Sequence, residues 1–470
     1  RGMISGGGAH TLIIGANGQV WSCGNNASGQ LGNGSSGVNS SSLALVTASW
    51  PVSHIAAIGS GLYTGHAVKA DGSIYGWGYN YYGQIGDGTT DYQTAPVPVS
   101  VANVIKMGSA PYSNHSLALT GEGSVYSWGW NDQGQLANGT TSSTATPNPA
   151  AVSLSAIRDI ATGGFHSLAV SNAGNVFAWG DDSYGQVGDD AVMDDYRTTP
   201  LQVRTSGGVV LADITAVSAG IYHSLALRAD GTVWAWGYNG YGQVGTGDTA
   251  NAPRAIQVGG LSNIIAISAG MYASYALDAS GQVKAWGYGY GGGLGNGVDG
   301  VSYTPVTVKT GLFFALTDVT AIAGGSGYAL AVSAGQIKAW GDNGNGQLGN
   351  NSTTNSLYAV TVSGLTTAAR VTSGYNTSYA LLANGSIQAW GYNGTASIGD
   401  GTYDGPKLVP TATRPDWLPQ ISLSITDSDA GEAGPNPGVF QVARTLTTAG
   451  AQSVSFNLSG TAIEGVDYST

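Results

Sequence analysis

The sequence predicts an all-β protein assembled from short, closely similar units, and three observations carry that expectation. Gly accounts for 76 of the 470 residues, well above the usual share of about 7%, so tight turns are dense. Charged residues make up 9% of the chain, against about 25% in ordinary domains. That removes the ionic faces a helical bundle or coiled coil presents to water. The third observation is repetition, the feature to look for first. An aromatic-Gly step recurs as Trp77-Gly78, Trp128-Gly129, Trp179-Gly180, Trp236-Gly237, Trp286-Gly287, Trp340-Gly341 and Trp390-Gly391, with Cys23-Gly24 as a first copy carrying Cys in the Trp slot. These glycines lie 54, 51, 51, 57, 50, 54 and 50 residues apart.

Each element of a unit follows from local pattern. Around Trp236, the apolar runs His223 to Leu227 and Thr232 to Trp236 flank Asp230-Gly231. That dipeptide accepts the positive φ of a hairpin turn. The same turn type stands at Asn17-Gly18, Asp71-Gly72 and Asn384-Gly385. Ala118, Ala169, Ala226, Ala276 and Ala380 alternate with larger apolar residues, which suits strands covered on both faces. After each Trp-Gly a Gly/Asn-rich loop ends in Gly-Gln-Leu-Gly or a variant, as at Gly29-Gln30-Leu31-Gly32 and Gly185-Gln186-Val187-Gly188. A Pro-Val strand follows, such as Pro96-Val97-Pro98-Val99, and then an Ile/Val run, such as Ile264 to Gly270. Four short strands per unit, repeated radially, make a β-propeller of eight sequence repeats, with seven or eight four-stranded blades. The last unit ends at Pro410-Thr411-Ala412 without an Ile/Val strand, and Gly2-Met3-Ile4-Ser5-Gly6 resembles that strand. The expectation leans to eight blades, with the N-terminus closing the ring.

The pattern running from Gly-x-x-His-Ser-Leu-Ala-Leu through Trp-x-Trp-Gly to Gly-Gln-Leu-Gly resembles the regulator of chromosome condensation repeat over residues 1–413. The resemblance implies a propeller, usually of seven blades, and in particular members guanine-nucleotide exchange on a small GTPase. The Gly-Trp-Arg-His-Thr motif of a light-sensing member is absent here. Residues 414–419 belong to a Pro-rich linker. In residues 420–470, Ile421-Ser422-Leu423-Ser424-Ile425 alternates as a strand, and Gly460-Thr461-Ala462-Ile463-Glu464-Gly465-Val466-Asp467-Tyr468 is similar to a Calx-beta signature. That resemblance implies a partial β-sandwich, with Glu432 and Asp467 among the calcium ligands of a complete domain.

Net charge is −12, which argues against a partner held through nucleic-acid phosphates. A single cysteine, Cys23, excludes an intramolecular disulfide and a cysteine-based zinc site. No apolar run reaches the ~18 residues of a membrane helix, so no membrane insertion is expected. The chain begins at Arg1 and reads as part of a larger protein.

His10, His115, His166 and His223 share one slot, 14 residues before the motif glycine. Equivalent slots fall in different blades, so these histidines read as hydrogen-bonded blade residues, not metal ligands, and His54 reads as a surface residue. Asp181-Asp182, Asp189-Asp190 and Asp194-Asp195 gather in one loop and read as a solvated acidic loop ahead of a calcium site. No convergent nucleophile or acid–base set is visible, so no catalysis and no propeller cofactor are expected. The candidate binding residues are the loop aromatics Tyr79, Tyr81, Tyr82, Trp130, Tyr184, Tyr238, Tyr241, Tyr288, Tyr290 and Tyr392. Equivalent propeller loops emerge on one face, where Tyr and Trp supply binding energy. Covering the hairpins beneath is the plainer role for the same rings, and few charges flank them. The functional expectation is a non-enzymatic scaffold for a protein or glycan, extracellular or at the cell surface. The alternative is a guanine-nucleotide exchange regulator.

Overall fold

Each blade begins with the Ile/Val run. In the unit of Trp236, Ile214–Ala219 pairs with His223–Arg228, which pairs with Val233–Gly237, which pairs with Ala252–Gln257, all antiparallel. Eight such four-stranded sheets form, each with its strands in chain order. Blade one runs from Ile4–Gly6 to Ser40–Leu45 and blade eight from Ala368–Ser373 to Lys407–Ala412. The computed structural model describes residues 4–15, 18–47, 54–108, 110–190 and 195–413, together with the backbone of residues 421–425 and 440–444.

The chain therefore makes an eight-bladed propeller, but the N-terminal strand does not complete blade eight. Ile4–Gly6 pairs with His10–Ile14 of its own blade, Ser5 opposite Leu12. Blade eight already holds four strands. The repeat read from the hairpin onward is out of phase with the blade by one strand. Closure comes from packing: Ile4 lies against Tyr379, Ala389 and Ile398, and the Thr11 hydroxyl donates to the Ser397 carbonyl at 2.9 Å.

What joins neighbouring blades is the pair of motifs that recurs, with variants, along the chain. The indole N–H of Trp236 donates to the carbonyl of Gln186, 2.8 Å away in the preceding blade's Gln-Val-Gly loop. Trp77, Trp128, Trp179, Trp286 and Trp390 repeat this bond to Gln30, Gln84, Gln135, Gln243 and Gln347. Gly188 sits at φ 74°, and a Cβ there would meet the Trp236 ring at 2.8 Å, so the loop requires glycine both for conformation and for contact. Gly237, after the Trp, has φ 99°, and a Cβ would strike the Tyr222 carbonyl. In blade one the Cys23 thiol donates to the Ser397 carbonyl at 3.4 Å in place of an indole.

The second strands are almost wholly buried, and the shared histidine slot lies there. His115 meets the Ser167 hydroxyl at 2.9 Å, His166 meets Ser224 at 2.9 Å, and His223 meets Ser274 at 3.2 Å. Each bond crosses from one blade to the next. In blade seven the slot belongs to Tyr328, opposite Gly341, because the turn between Ser333 and Gln336 is shorter. Burial holds His115 and His166 at about 3 and His10, His66 and His223 at about 4, all below the ordinary 6.5. They are neutral packing groups, and His54 is exposed.

The chain divides into two compact units, Arg1–Thr413 and Arg414–Thr470. In the second, Ile421–Ile425 pairs antiparallel with Phe440–Arg444, Leu423 opposite Val442. The linker at 414–419, the remainder of the expected partial β-sandwich, and Glu432 and Asp467 lie outside the described residues.

Candidate functional site

Antiparallel pairing places two sets of loops at one end of the blades. His223 opposite Gly237 shows that the second strand starts where the third ends. The loops between strands one and two therefore share a face with those between strands three and four. Nine of the ten aromatic candidates lie in the latter set, and Trp130 stands at the end of its third strand, Val125–Asn131.

On that face the rings touch one another. A chain of contacts, with centroids 5.0 to 6.4 Å apart, passes from Tyr63 through Tyr79, Tyr82, Trp130, Phe165, Tyr222, Tyr184, Tyr238, Tyr241 and Tyr288 to Tyr290. It spans blades two to six. Edge-to-face and offset pairs of this kind each contribute about 0.5–1.5 kcal/mol beyond burial. Tyr81 joins through Tyr82 at 5.0 Å, and Tyr392 of blade eight stands outside the chain. Tyr81, Tyr290 and Tyr392 are exposed (62%, 52% and 37%), and the other candidates are half-buried. The rings thus both cover the loops and present hydroxyls and edges to solvent. Burial, followed by the nearby Tyr92, pushes the Tyr79 phenol up to about 12. Burial likewise raises Tyr222, Tyr238, Tyr272 and Tyr288, so the tyrosines stay neutral.

Sequence reasoning missed half of this surface. Tyr63, Phe165, Tyr222 and Tyr272 come from the loops between strands one and two, directly before the histidine slot. The signal for it is an aromatic residue directly before the histidine slot, as in Gly220-Ile221-Tyr222-His223-Ser224 of blade five. Tyr112, from the same loop of blade three, reaches across the axis, its ring 5.9 Å from that of Tyr375 in blade eight. Also missed was an exposed tip at the opposite end, Leu312-Phe313-Phe314, between blades six and seven.

Two expectations about charge are corrected. The acidic loop of blade four is solvated only in part: Asp181 and Asp182 are buried, Asp190 and Asp195 are exposed, and Asp194 lies outside the described residues. In other blades an Asn here accepts the N–H five residues on and donates across the loop, as Asn239 does with Val244, Thr246 and Asp248. Asp182 keeps the acceptor half with Val187, and Arg197 supplies the missing donors, 3.1 Å from Asp182 and 2.5 Å from Asp189. Burial pushes Asp182 up to about 7 against the pull of the Val187 N–H and Arg197. Asp190 pairs with Arg254. Among the described residues, no cluster of three or more ligating side chains could hold a metal.

The aromatic face is also not poor in charge. The loops between strands three and four carry Asp87, Asp91, Asp132, Asp248, Asp299 and Asp342, and no Lys or Arg lies in any of the eight. The basic residues that neutralise Asp182, Asp189, Asp190, Asp400 and Asp404 stand on fourth strands. Between blades six and seven the ring chain ends in a cleft of about 400 Å³, walled by Tyr241, Tyr272, Tyr288 and Tyr290, with Ser326, Asp342 and Asn355 at its other side.

The model of the RCC1-like domain matches residues 2–331 and, overlapping them, 110–433. The chain belongs to this family. Among RCC1-like relatives, the ultraviolet-B receptor UVR8 of Arabidopsis thaliana is 31% identical over 258 residues, 54% of this chain and 57% of that protein. The human E3 ubiquitin-protein ligase HERC2 is 35% identical over 259 residues, 54% of this chain and 5% of its own length. The match thus spans little more than half of one curated relative and a small part of the other. In fold, human WBSCR16 superposes with a TM-score of 0.60 at 23% identity, covering 77% of this chain and 98% of that one. Prp20p of Saccharomyces cerevisiae, studied for its binding to Gsp1p and histones, gives 0.54 at 24% identity over 65% of this chain and 76% of its own.

Proposed function

We propose that the propeller is a non-catalytic scaffold that captures a protein on the aromatic face. The observation that carries this reading is the continuous run of ring contacts across blades two to six, ending in exposed Tyr63 and Tyr290 and joined by exposed Tyr81. Interfaces draw binding energy from Tyr and Trp held rigid by their neighbours. Support also comes from Prp20p, for which Gsp1p and histone binding are recorded. Replacing Tyr81, Tyr82 and Tyr241 with Ser should abolish partner capture while the melting curve stays cooperative. Capture that survives the triple change, or a chain that unfolds, contradicts the reading.

Guanine-nucleotide exchange is the second reading, favoured by the fold shared with Prp20p and its recorded binding to Gsp1p. Nucleotide release from purified small GTPases, with and without this chain, decides it. A glycan partner and an extracellular or surface location are further parts of the proposal. Glycan-array binding and surface labelling of intact cells test them.

A further inference from the structure

We infer that the cleft between blades six and seven takes an organic cation, presented as the Lys or Arg side chain of a protein partner. The inference deepens, and rests on, the reading of this face as the binding face.

Its walls are the rings of Tyr241, Tyr272, Tyr288 and Tyr290, and its volume of about 400 Å³ admits one long side chain. Tyr241 and Tyr288 meet edge to face at 5.1 Å, and Tyr288 lies 5.4 Å from Tyr290. Tyrosine faces carry negative quadrupole density that attracts a cation within about 6 Å of the ring. Blade seven interrupts the aromatic chain with small residues, Ser326 and Gly327, and puts Asp342 where blades two, five, six and eight carry Tyr79, Tyr238, Tyr288 and Tyr392. The result is an opening bounded by rings on one side and a carboxylate on the other.

The carboxylate is uncompensated. Asp342 accepts from the Gly344 N–H at 3.2 Å and from the Gln347 amide at 3.3 Å. Asp299, which accepts from the Gly291 N–H at 2.7 Å, adds a second negative charge at the rim. No Lys, Arg or His lines the cleft, and neither carboxylate forms an ion pair among the described residues. A neutral sugar would stack on these rings equally well, but nothing in its chemistry needs an unpaired Asp at the wall. A cation needs both features, and Arg in particular stacks its planar guanidinium on aromatic faces while pairing with a carboxylate.

The test uses the whole chain and four probes: acetylated, amidated Gly-Arg-Gly and Gly-Lys-Gly, the citrulline analogue of the first, and tetramethylammonium chloride. Tyrosine NMR shifts follow each titration. The basic peptides should bind saturably and weaken with added salt. The citrulline peptide should bind about tenfold more weakly or worse. Asp342→Asn and Tyr290→Leu should each weaken the basic peptides about tenfold, and Phe313→Ser, in the exposed tip at the opposite end, should leave them unchanged. Tyr290 is exposed and Asp342→Asn keeps the shape, so matching melting curves separate lost binding from lost folding. Equal binding of the citrulline peptide, or unchanged affinity in Asp342→Asn, overturns the inference. If tetramethylammonium binds as tightly as the peptides, the protein side chain is the wrong source. If no basic peptide binds while partner capture still depends on Tyr81 and Tyr82, the cation assignment falls and the wider reading of the face stands.

Discussion

Replacing Trp236 with Ala removes the largest side chain at the boundary between blades four and five. The indole is fully buried. It packs among Leu168, Val187, Val203, Leu225 and Val244, with the edge of Gly188 against its ring. The hole cannot collapse readily, because β-sheet backbone bounds it on two sides. Loss of transfer energy together with a cavity of this kind costs about 3–5 kcal/mol. The lost hydrogen bond adds only about 1 kcal/mol, because the Gln186 carbonyl keeps the Ser224 hydroxyl as a donor at 3.1 Å. Tyr241→Ala makes the comparison: its half-buried ring loses three edge contacts but opens no cavity, so it should cost about 1–2 kcal/mol. Urea unfolding followed by far-UV circular dichroism reads both. Equal shifts of the midpoint would refute the assignment of the Trp slot to inter-blade packing and of Tyr241 to the surface.

Other outcomes follow from the same contacts. Trp340 is the one slot indole whose N–H finds no acceptor, because Tyr275 takes the Gly293 carbonyl at 2.9 Å. Trp236→Phe should therefore destabilise more than Trp340→Phe, by about 1 kcal/mol, and a reversed order in urea titration would contradict this. Arg197→Leu strands Asp182 and Asp189 in a buried loop and should cost about 3–5 kcal/mol. Adding Asp182→Asn, the residue most other blades use, should recover part of the loss, and an unchanged unfolding midpoint would rule that out. The five buried histidines titrate at about 3 to 4 when folded and near 6.5 when unfolded, so the unfolded chain binds more protons between those limits. Stability should fall as pH drops from about 6.5 to 4, each histidine contributing up to about 1.4 kcal/mol per pH unit. Asp182, raised to about 7, acts with the opposite sign, its share being lost as pH rises through 7. A His166→Asn variant should show a shallower decline in acid, and a slope equal to that of the parent would count against the histidine account.

The eight blades were legible because Trp-Gly, the hairpin turn and Gly-Gln-Leu-Gly are local patterns repeated at near-constant spacing. The phase of the blade was not, because a tandem repeat looks the same wherever counting starts. The strand pairing, as of Ile4–Gly6 with His10–Ile14 and of Ile214–Ala219 with His223–Arg228, shows that the Ile/Val strand leads. Nor could one unit reveal that Trp236 and Gln186, 50 residues apart, are partners across a blade boundary. The aromatic face was half legible. Tyr79 to Tyr392 follow a marked step, whereas Phe165 and Tyr222 each stand singly before the histidine slot. Arg197 was not legible because its role, standing in for the amide of an Asn, exists only once the loop is folded around Asp182.

On the proposed reading, this propeller meets its partner through the aromatic face. A photo-crosslinking residue placed in turn at Tyr81, Tyr290, Phe313 and Ser280 tests it most directly. The first two lie on the aromatic face, and the others occupy an exposed apolar tip and a hairpin turn at the opposite end. Adducts with the captured protein from Tyr81 and Tyr290 alone are the predicted result; adducts from Phe313 or Ser280, with none from the tyrosine positions, would contradict it.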